Sequence, residues 1–162
     1  MICFHNPEEE NGYLSNWYLS DFTVEGITFS SMEQYMMYKK AMLFQDRETA
    51  GKILQTDDVA EIKALGRGVR NFDDQIWTKS REEIVYKGVL EKFRQNPELS
   101  ARLEETGEDV IAECVVKDRI WGIGLSMKDE DRFCMDRWKG QNLLGKILMR
   151  VREEIEYRQK VF

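Results

Sequence analysis

From Asp73 or Asp74 to about Gln95 the chain keeps a single pattern. Ile76, Trp77, Ile84, Val85, Val89, Leu90 and Phe93 recur with a 3.6-residue period. That predicts one long helix of about six turns, and its apolar stripe has to be covered by other elements. Asn96-Pro97 breaks the pattern, and Pro97 suits the first turn of a further helix over 97–105. Pro7 is the only other proline among 162 residues, so few helices are interrupted.

Around this helix the sequence predicts a mainly helical α+β domain with a few short strands. Ile2–His5 reads as a short strand and 7–12 as an acidic turn. Phe22, Val24, Ile27 and Phe29 flank Glu25-Gly26, the signature of a tight hairpin over residues 21–30. Helical spacing then takes over from Ser30 to Phe44, and Ser30-x-x-Glu33 matches a capping box. Further helices are expected over 46–54 and from Thr56 to about Leu65, with Gly66 as the stop. Val110–Val116 reads as a strand after a turn at Thr106-Gly107. Trp121–Leu125 reads as a short strand or a tight loop, and 126–137 as irregular. Asn142 opens a last amphipathic helix to about Arg158, with Leu143, Leu144, Ile147, Leu148, Val151 and Ile155 on one face. No linker, repeat or low-complexity tract divides the chain, so one domain over 1–162 is expected.

Composition removes several classes of function. A net charge of -6 disfavours non-specific binding to a phosphate backbone. Three cysteines, Cys3, Cys114 and Cys134, without a CxxC pair do not make a disulfide framework, and a reducing cytoplasm fits them. One histidine, His5, with scattered cysteines makes a zinc site improbable, and no metal or cofactor is expected. No apolar run reaches the length of a membrane span, and the N-terminus lacks the pattern of a signal peptide. Oligomeric state is not legible.

Three stretches carry candidate chemistry. Glu33 and Lys40 are seven residues apart on one predicted helix, so they share a face to within about 20°. Together they supply an acid/base group and a cation or nucleophile; alternatively Glu33 completes the capping box and Lys40 is solvated. Asp118-Arg119-Ile120-Trp121-Gly122-Ile123-Gly124 sets two glycines beside a tryptophan. That suits close approach of backbone to something flat or charged, or a buried tryptophan in a tight turn. Trp138-Lys139-Gly140-Gln141-Asn142 leads into a helix whose N-terminus suits a phosphate, or is simply capped. Asn16, Trp77 and Glu113 are weaker candidates for contacts to ribose or base. The methionines around the same helix, Met32, Met36 and Met37, read as core filler.

Taken in order, these stretches carry a resemblance. YLSNWY (13–18), FTVEGITFSSMEQY (22–35), KKA (39–41), LGR (65–67), the Trp77 region, KFRQNPEL (92–99), DRIWGIGL (118–125) and WKGQNLLGKILMRVREE (138–154) are similar to the NADAR family of N-glycosidase-like domains. The resemblance spans nearly the whole chain and rests most on DRIWGIGL and WxGxNLLG occurring together. It implies hydrolysis of a ribose–nitrogen bond without a metal. The implied substrate is ADP-ribose on guanine in nucleic acid, or a phosphoribosylamino-pyrimidine intermediate of riboflavin synthesis. A non-catalytic module that binds ADP-ribose or a related nucleotide is the rival from another class. The resemblance carries catalytic expectations to Glu33, Lys40, Asp118 and Trp121. It carries substrate-binding expectations to Asn16, Trp77, Glu113, Arg119, Gly122, Trp138 and Asn142. Leu19, Gln34 and Met37 depart from the family's usual residues, two of them on the helix of Glu33 and Lys40.

Overall fold

The computed structural model describes residues 1–161, so Phe162, the end of the expected domain, lies outside the described residues. The described residues form four short strands and six α-helices, the mainly helical α+β arrangement expected. Their Cα framework groups into two compact units: residues 19–96, and the two chain ends 1–18 and 97–161.

The 19–96 unit is built around one helix. Strands β2 (Leu19–Val24) and β3 (Ile27–Ser31) form an antiparallel hairpin that pairs Phe22 with Phe29 and Thr23 with Thr28. Glu25 and Gly26 turn it with φ of 52° and 84°, the left-handed pair that a two-residue hairpin requires. Helix α1 (Met32–Leu43) follows at once and buries every residue from Met32 to Met37. A helix covered on most sides sits at the centre of its unit, and α1 packs on β3, α2 (Arg47–Leu54), α3 (Val59–Arg67) and α4 (Asp74–Gln95). Phe22, Phe29 and Tyr35 join the hairpin to it, with ring centroids 5.1 to 5.9 Å apart. Two glycines let neighbouring helices close in. A Cβ on Gly88 of α4 would lie 2.5 Å from the Tyr35 ring, and one on Gly66 of α3 would lie 1.9 Å from Met37 Sδ.

Local chemistry corrects two expected helix starts and one stop. The cap of α1 is Ser31, one residue later than expected: its hydroxyl accepts from the Gln34 N–H, while the Gln34 carbonyl oxygen accepts from the Ser30 N–H. The reciprocal bonds are therefore made by Gln34 and not by Glu33. Helix α3 is capped by Asp58, whose carboxylate accepts from the N–H groups of Ala60 and Glu61. Thr56 instead braces that cap, accepting from the Asp58 N–H and donating to Glu61. Gly66 lies inside α3, which runs one residue further to Arg67. At the other end of α1, Gln45 adopts φ 61° and the Asp46 N–H reaches back to the Ala41 carbonyl. Asp46 then caps α2 directly.

The unit of the chain ends holds a two-stranded parallel sheet, β1 (Ile2–Phe4) against β4 (Ile111–Glu113), with α6 (Leu143–Val161) packed on β4 and on α5 (Pro97–Glu105). Both strands are shorter than their apolar runs suggested, because pairing ends where the Cys114 N–H bonds the Phe4 carbonyl. Val116, expected in the strand, is exposed. Trp121–Leu125 is a tight loop, tied to β4 by the Ile123 N–H to the Glu113 carbonyl. Residues 130–137, expected as irregular, contain two turns of 3-10 helix. Helix α6 continues to Val161, past the expected Arg158. No helix among the described residues is long and apolar enough to cross a membrane.

Candidate functional site

In the 19–96 unit the fold gathers Glu33, Lys40 and Trp77. Glu33 lies in the first turn of α1 and is 5% exposed. Since Gln34 makes the capping-box bonds, Glu33 is not the residue that closes that box. Lys40 stands two turns on, half-buried, and its ammonium donates a 2.8 Å hydrogen bond to the Gly66 carbonyl. The alternative reading of Lys40 as a solvated lysine therefore fails. Its Nζ also lies 4.7 Å from the Phe72 ring centroid and 5.8 Å from that of Trp77. Burial pushes the Lys40 amine below its ordinary value, and the Glu33 carboxylate acts in the opposite direction. The result is an amine easier to deprotonate than a surface lysine, facing a carboxylate on the same helix face. Trp77 is buried, as expected of a core position, and still contributes one edge of this corner.

The other unit gathers most of the remaining candidates, and much of their polar capacity is already engaged. Asp118 Oδ1 accepts from the N–H groups of Ile120 and Trp121, at 3.0 and 2.9 Å, and so folds the turn that presents Trp121. The backbone of that turn is consumed by the start of α6. The N–H groups of Gln141, Asn142, Leu143 and Leu144 bond the carbonyls of Arg119, Gly122, Ile120 and Trp121. Those four donors are thus unavailable to an anion, which corrects the expected phosphate site at this helix start. Asn142 is fully buried with φ 55°. Its amide donates to the Ile111 carbonyl at 2.9 Å and accepts from the Glu113 N–H at 3.1 Å, so it serves β4 as a side-chain extension of the sheet.

The glycines have the same explanation. A Cβ on Gly122 would lie 3.0 Å from the Glu113 carbonyl oxygen, and one on Gly140 would lie 2.3 Å from the Gly122 carbonyl oxygen. Within the fold, what approaches these glycines closely is the chain's own backbone. Trp138 donates its indole N–H to the Arg132 carbonyl at 2.8 Å and packs against the cluster of Cys3, Ala112, Cys114, Ile123 and Leu125. That accounts for Trp138 without a substrate. Arg119 is exposed, and Glu113 and Trp121 are half-buried. Asn16 differs from these in being a buried polar side chain, 7% exposed.

Three residues of consequence carried a weaker signal in the sequence. Phe72 is a lone aromatic between Asn71 and Asp73, and an apolar side chain in so polar a turn was the available clue. Gly66, expected as a helix stop, supplies the acceptor for Lys40. Lys92 falls on the apolar stripe of α4 at the spacing of Val85 and Val89; it is fully buried, and burial lowers its amine to about 7. Among the described residues no group of three or more His, Cys, Asp or Glu is placed to hold a metal ion. A cavity of about 150 Å³ in the 19–96 unit lies beside the hairpin, lined by Val24, Ile27, Phe29, Tyr38 and Lys39 among others, and contains none of the candidates.

Comparison with known proteins gives a consistent picture. The family model of the NADAR domain matches residues 3–156. An N-glycosidase of Acanthamoeba polyphaga mimivirus is 45% identical over 94% of this chain and 95% of its own length. A riboflavin biosynthesis protein of Vibrio vulnificus is 34% identical over 96% of this chain, which corresponds to only 38% of that longer protein. The NMR structure of Escherichia coli YbiA superposes with a TM-score of 0.80 at 26% identity, over 98% of this chain and 86% of that one; YbiA bears the name N-glycosidase. The chain therefore belongs to the NADAR family and is related over nearly its whole length to proteins named as N-glycosidases.

Proposed function

We propose that the chain is an N-glycosidase that hydrolyses a ribose–nitrogen bond and releases ADP-ribose from ADP-ribosylated guanine in nucleic acid. We read residues 1–162 as one functional domain, in keeping with a family match that runs almost end to end. The observation that carries the reading is the pairing on α1 of buried Glu33 with half-buried Lys40, whose amine burial makes easier to deprotonate.

Cleavage of the glycosidic bond builds positive charge on C1 and the ring oxygen of the ribose. A carboxylate beside C1 stabilises that charge. Glu33 takes this role and accepts a proton from the attacking water, and that proton passes on to the leaving guanine nitrogen. Water adds to C1, the C1–N bond breaks, and the products are free ribose hydroxyl and base. Lys40 holds a substrate phosphate as a point charge. Deprotonated, it is also competent to attack C1 of an opened ribose and form a Schiff base. In the unit of the chain ends, the buried amide of Asn16 is assigned to a ribose or base. Asp118 sets the turn that displays Trp121 for stacking, with Arg119 in the same turn and Glu113 at the end of β4 as polar groups for the substrate. Trp77 adds an aromatic edge beside Lys40.

A second substrate is favoured by one observation, the relationship to the Vibrio vulnificus riboflavin biosynthesis protein. That substrate is a phosphoribosylamino-pyrimidine, cleaved by the same chemistry. A paired assay separates the two: an oligonucleotide carrying ADP-ribosylated guanine in one tube, the phosphoribosylamino-pyrimidine in the other. Release of ADP-ribose supports the first substrate, and release of ribose 5-phosphate the second. Absence of both products, with ADP-ribose binding intact, would replace the enzyme by a binding module.

A further inference from the structure

We infer that Phe72 is a stacking platform for a nucleobase of the substrate, and that Asp46 is the positioning residue that holds it in place. This rests on the reading of the Lys40 corner as a nucleotide site. Phe72 is 45% exposed. Its ring is nevertheless held from two directions. It stands edge-on to Phe44 at 5.4 Å and 66°, and it lies 4.7 Å from Lys40 Nζ. One face of the ring system is thus fixed by protein while much of its area stays open.

The backbone beneath Phe72 is built to keep it there. The Asp46 carboxylate, whose side chain is buried, accepts from four donors. Two come from Thr49, through its N–H and its hydroxyl, and cap α2. The other two are the Arg70 N–H at 2.9 Å and Arg70 Nη2 at 3.1 Å. These bonds hold the Asp46 carboxyl well below the usual carboxylate range, so it stays charged. Asn71, between Arg70 and Phe72, adopts φ 61° and donates from its amide to the Phe44 carbonyl. The chain from Arg70 to Phe72 is therefore pinned at both residues preceding the ring. Stacking on an aromatic face is tolerant of base identity, and an ammonium beside that face suits a ligand with a planar base and a nearby phosphate.

The test compares two probes, ADP-ribose and ribose 5-phosphate, binding to wild type, Phe72→Ala, Phe72→Trp, Asp46→Asn and Asp46→Asn/Phe72→Ala, by calorimetry. The expected result for Phe72→Ala is a Kd for ADP-ribose raised roughly 10-fold, with ribose 5-phosphate unchanged because it has no base. Phe72→Trp restores ADP-ribose affinity. Asp46→Asn weakens ADP-ribose on its own and adds nothing in the Phe72→Ala background, as a residue acting through Phe72 must. Equal loss of both probes would mean that the ring acts only through Lys40, and would overturn the proposal. So would unchanged binding in Phe72→Ala, or a wild type that does not bind ADP-ribose. Phe72-dependent binding without hydrolysis in the paired assay would keep this inference and sink the N-glycosidase reading.

Discussion

The ammonium of Lys40 and the carbonyl of Gly66 meet at 2.8 Å, across the contact between α1 and α3. The residue that receives the bond is also the residue whose missing side chain makes room for Met37, one turn back on α1. Anchoring of the amine and close packing of the two helices therefore depend on the same position.

Gly66→Ala tests that dependence. The new Cβ would lie 1.9 Å from Met37 Sδ and 3.3 Å from its Cβ, so the buried methionine has to change rotamer. Overpacking of this kind costs about 1–3 kcal/mol. The same substitution in a Met37→Ala background is expected to cost less, because the obstructing atoms are gone. Urea denaturation of the four proteins of that cycle measures the coupling. Equal costs in both backgrounds would place the strain elsewhere.

Glu33 and Gln34 are neighbours with separable roles. Gln34 makes five hydrogen bonds, through its N–H and side chain, to Ser30, Ser31, Ile53 and Thr56. Gln34→Ala keeps the N–H that Ser31 caps but should lower the melting temperature, since it leaves the Ser30 N–H short of an acceptor and the Ile53 and Thr56 carbonyls short of a donor. Glu33→Gln should leave the melting temperature nearly unchanged and reduce turnover roughly 100-fold or more, the range for a lost acid/base group. It should also move the Lys40 titration to lower pH, because the carboxylate charge that favours the ammonium has been removed. A pH–rate profile of Glu33→Gln identical in shape to that of wild type would show that the two groups do not communicate.

This pair shows how far the sequence was legible. Periodicity found the helices and the hairpin, because burying one face is a local demand that repeats along the chain. It placed Glu33 and Lys40 on one face correctly. It could not choose between Ser30 and Ser31 as the cap, since both are serines followed three residues later by a residue able to close the box. That single step decides whether Glu33 belongs to the capping box. The loops 118–125 and 138–142 were recognisable as special. Their glycines admit other backbone segments distant in sequence, and nothing local distinguishes that from admission of a ligand. Phe72 depends on Asp46, twenty-six residues earlier, through bonds to Arg70 that no periodic pattern encodes.

Lys92 predicts a pH dependence of stability. Burial alone lowers its amine to about 7 in the folded chain, whereas an unfolded lysine titrates near about 10.4. Between these two values the unfolded state holds the extra proton, so stability rises with pH across that window and is lowest below about 7. Lys92→Met removes the titration. Wild type relative to Lys92→Met should therefore gain stability as pH climbs from 7 toward 10, measured by urea denaturation at fixed ionic strength. Parallel curves for the two proteins would mean that Lys92 remains charged in the folded chain.

Asn142 allows the most discriminating substitution, because its two hydrogen bonds run in opposite directions. Its Nδ2 donates to the Ile111 carbonyl, and its Oδ1 accepts from the Glu113 N–H. Asn142→Gly keeps the left-handed φ of 55° and loses both bonds. Asn142→Asp keeps the acceptor and the shape but sets a carboxylate oxygen against the Ile111 carbonyl in a buried site. Steric argument alone ranks aspartate as the milder change. The electrostatic argument reverses the order, because a buried charge facing a carbonyl costs more than two absent bonds. Asn142→Asp is expected to destabilise by about 2–3 kcal/mol at neutral pH and to recover as pH falls and the carboxyl takes up a proton that it can donate to Ile111. Asn142→Gly should show no such recovery. Denaturation of both variants at pH 5 and pH 8 reads the difference directly, and an aspartate variant equally unstable at the two values would remove the donor bond to β4 from the account of this fold.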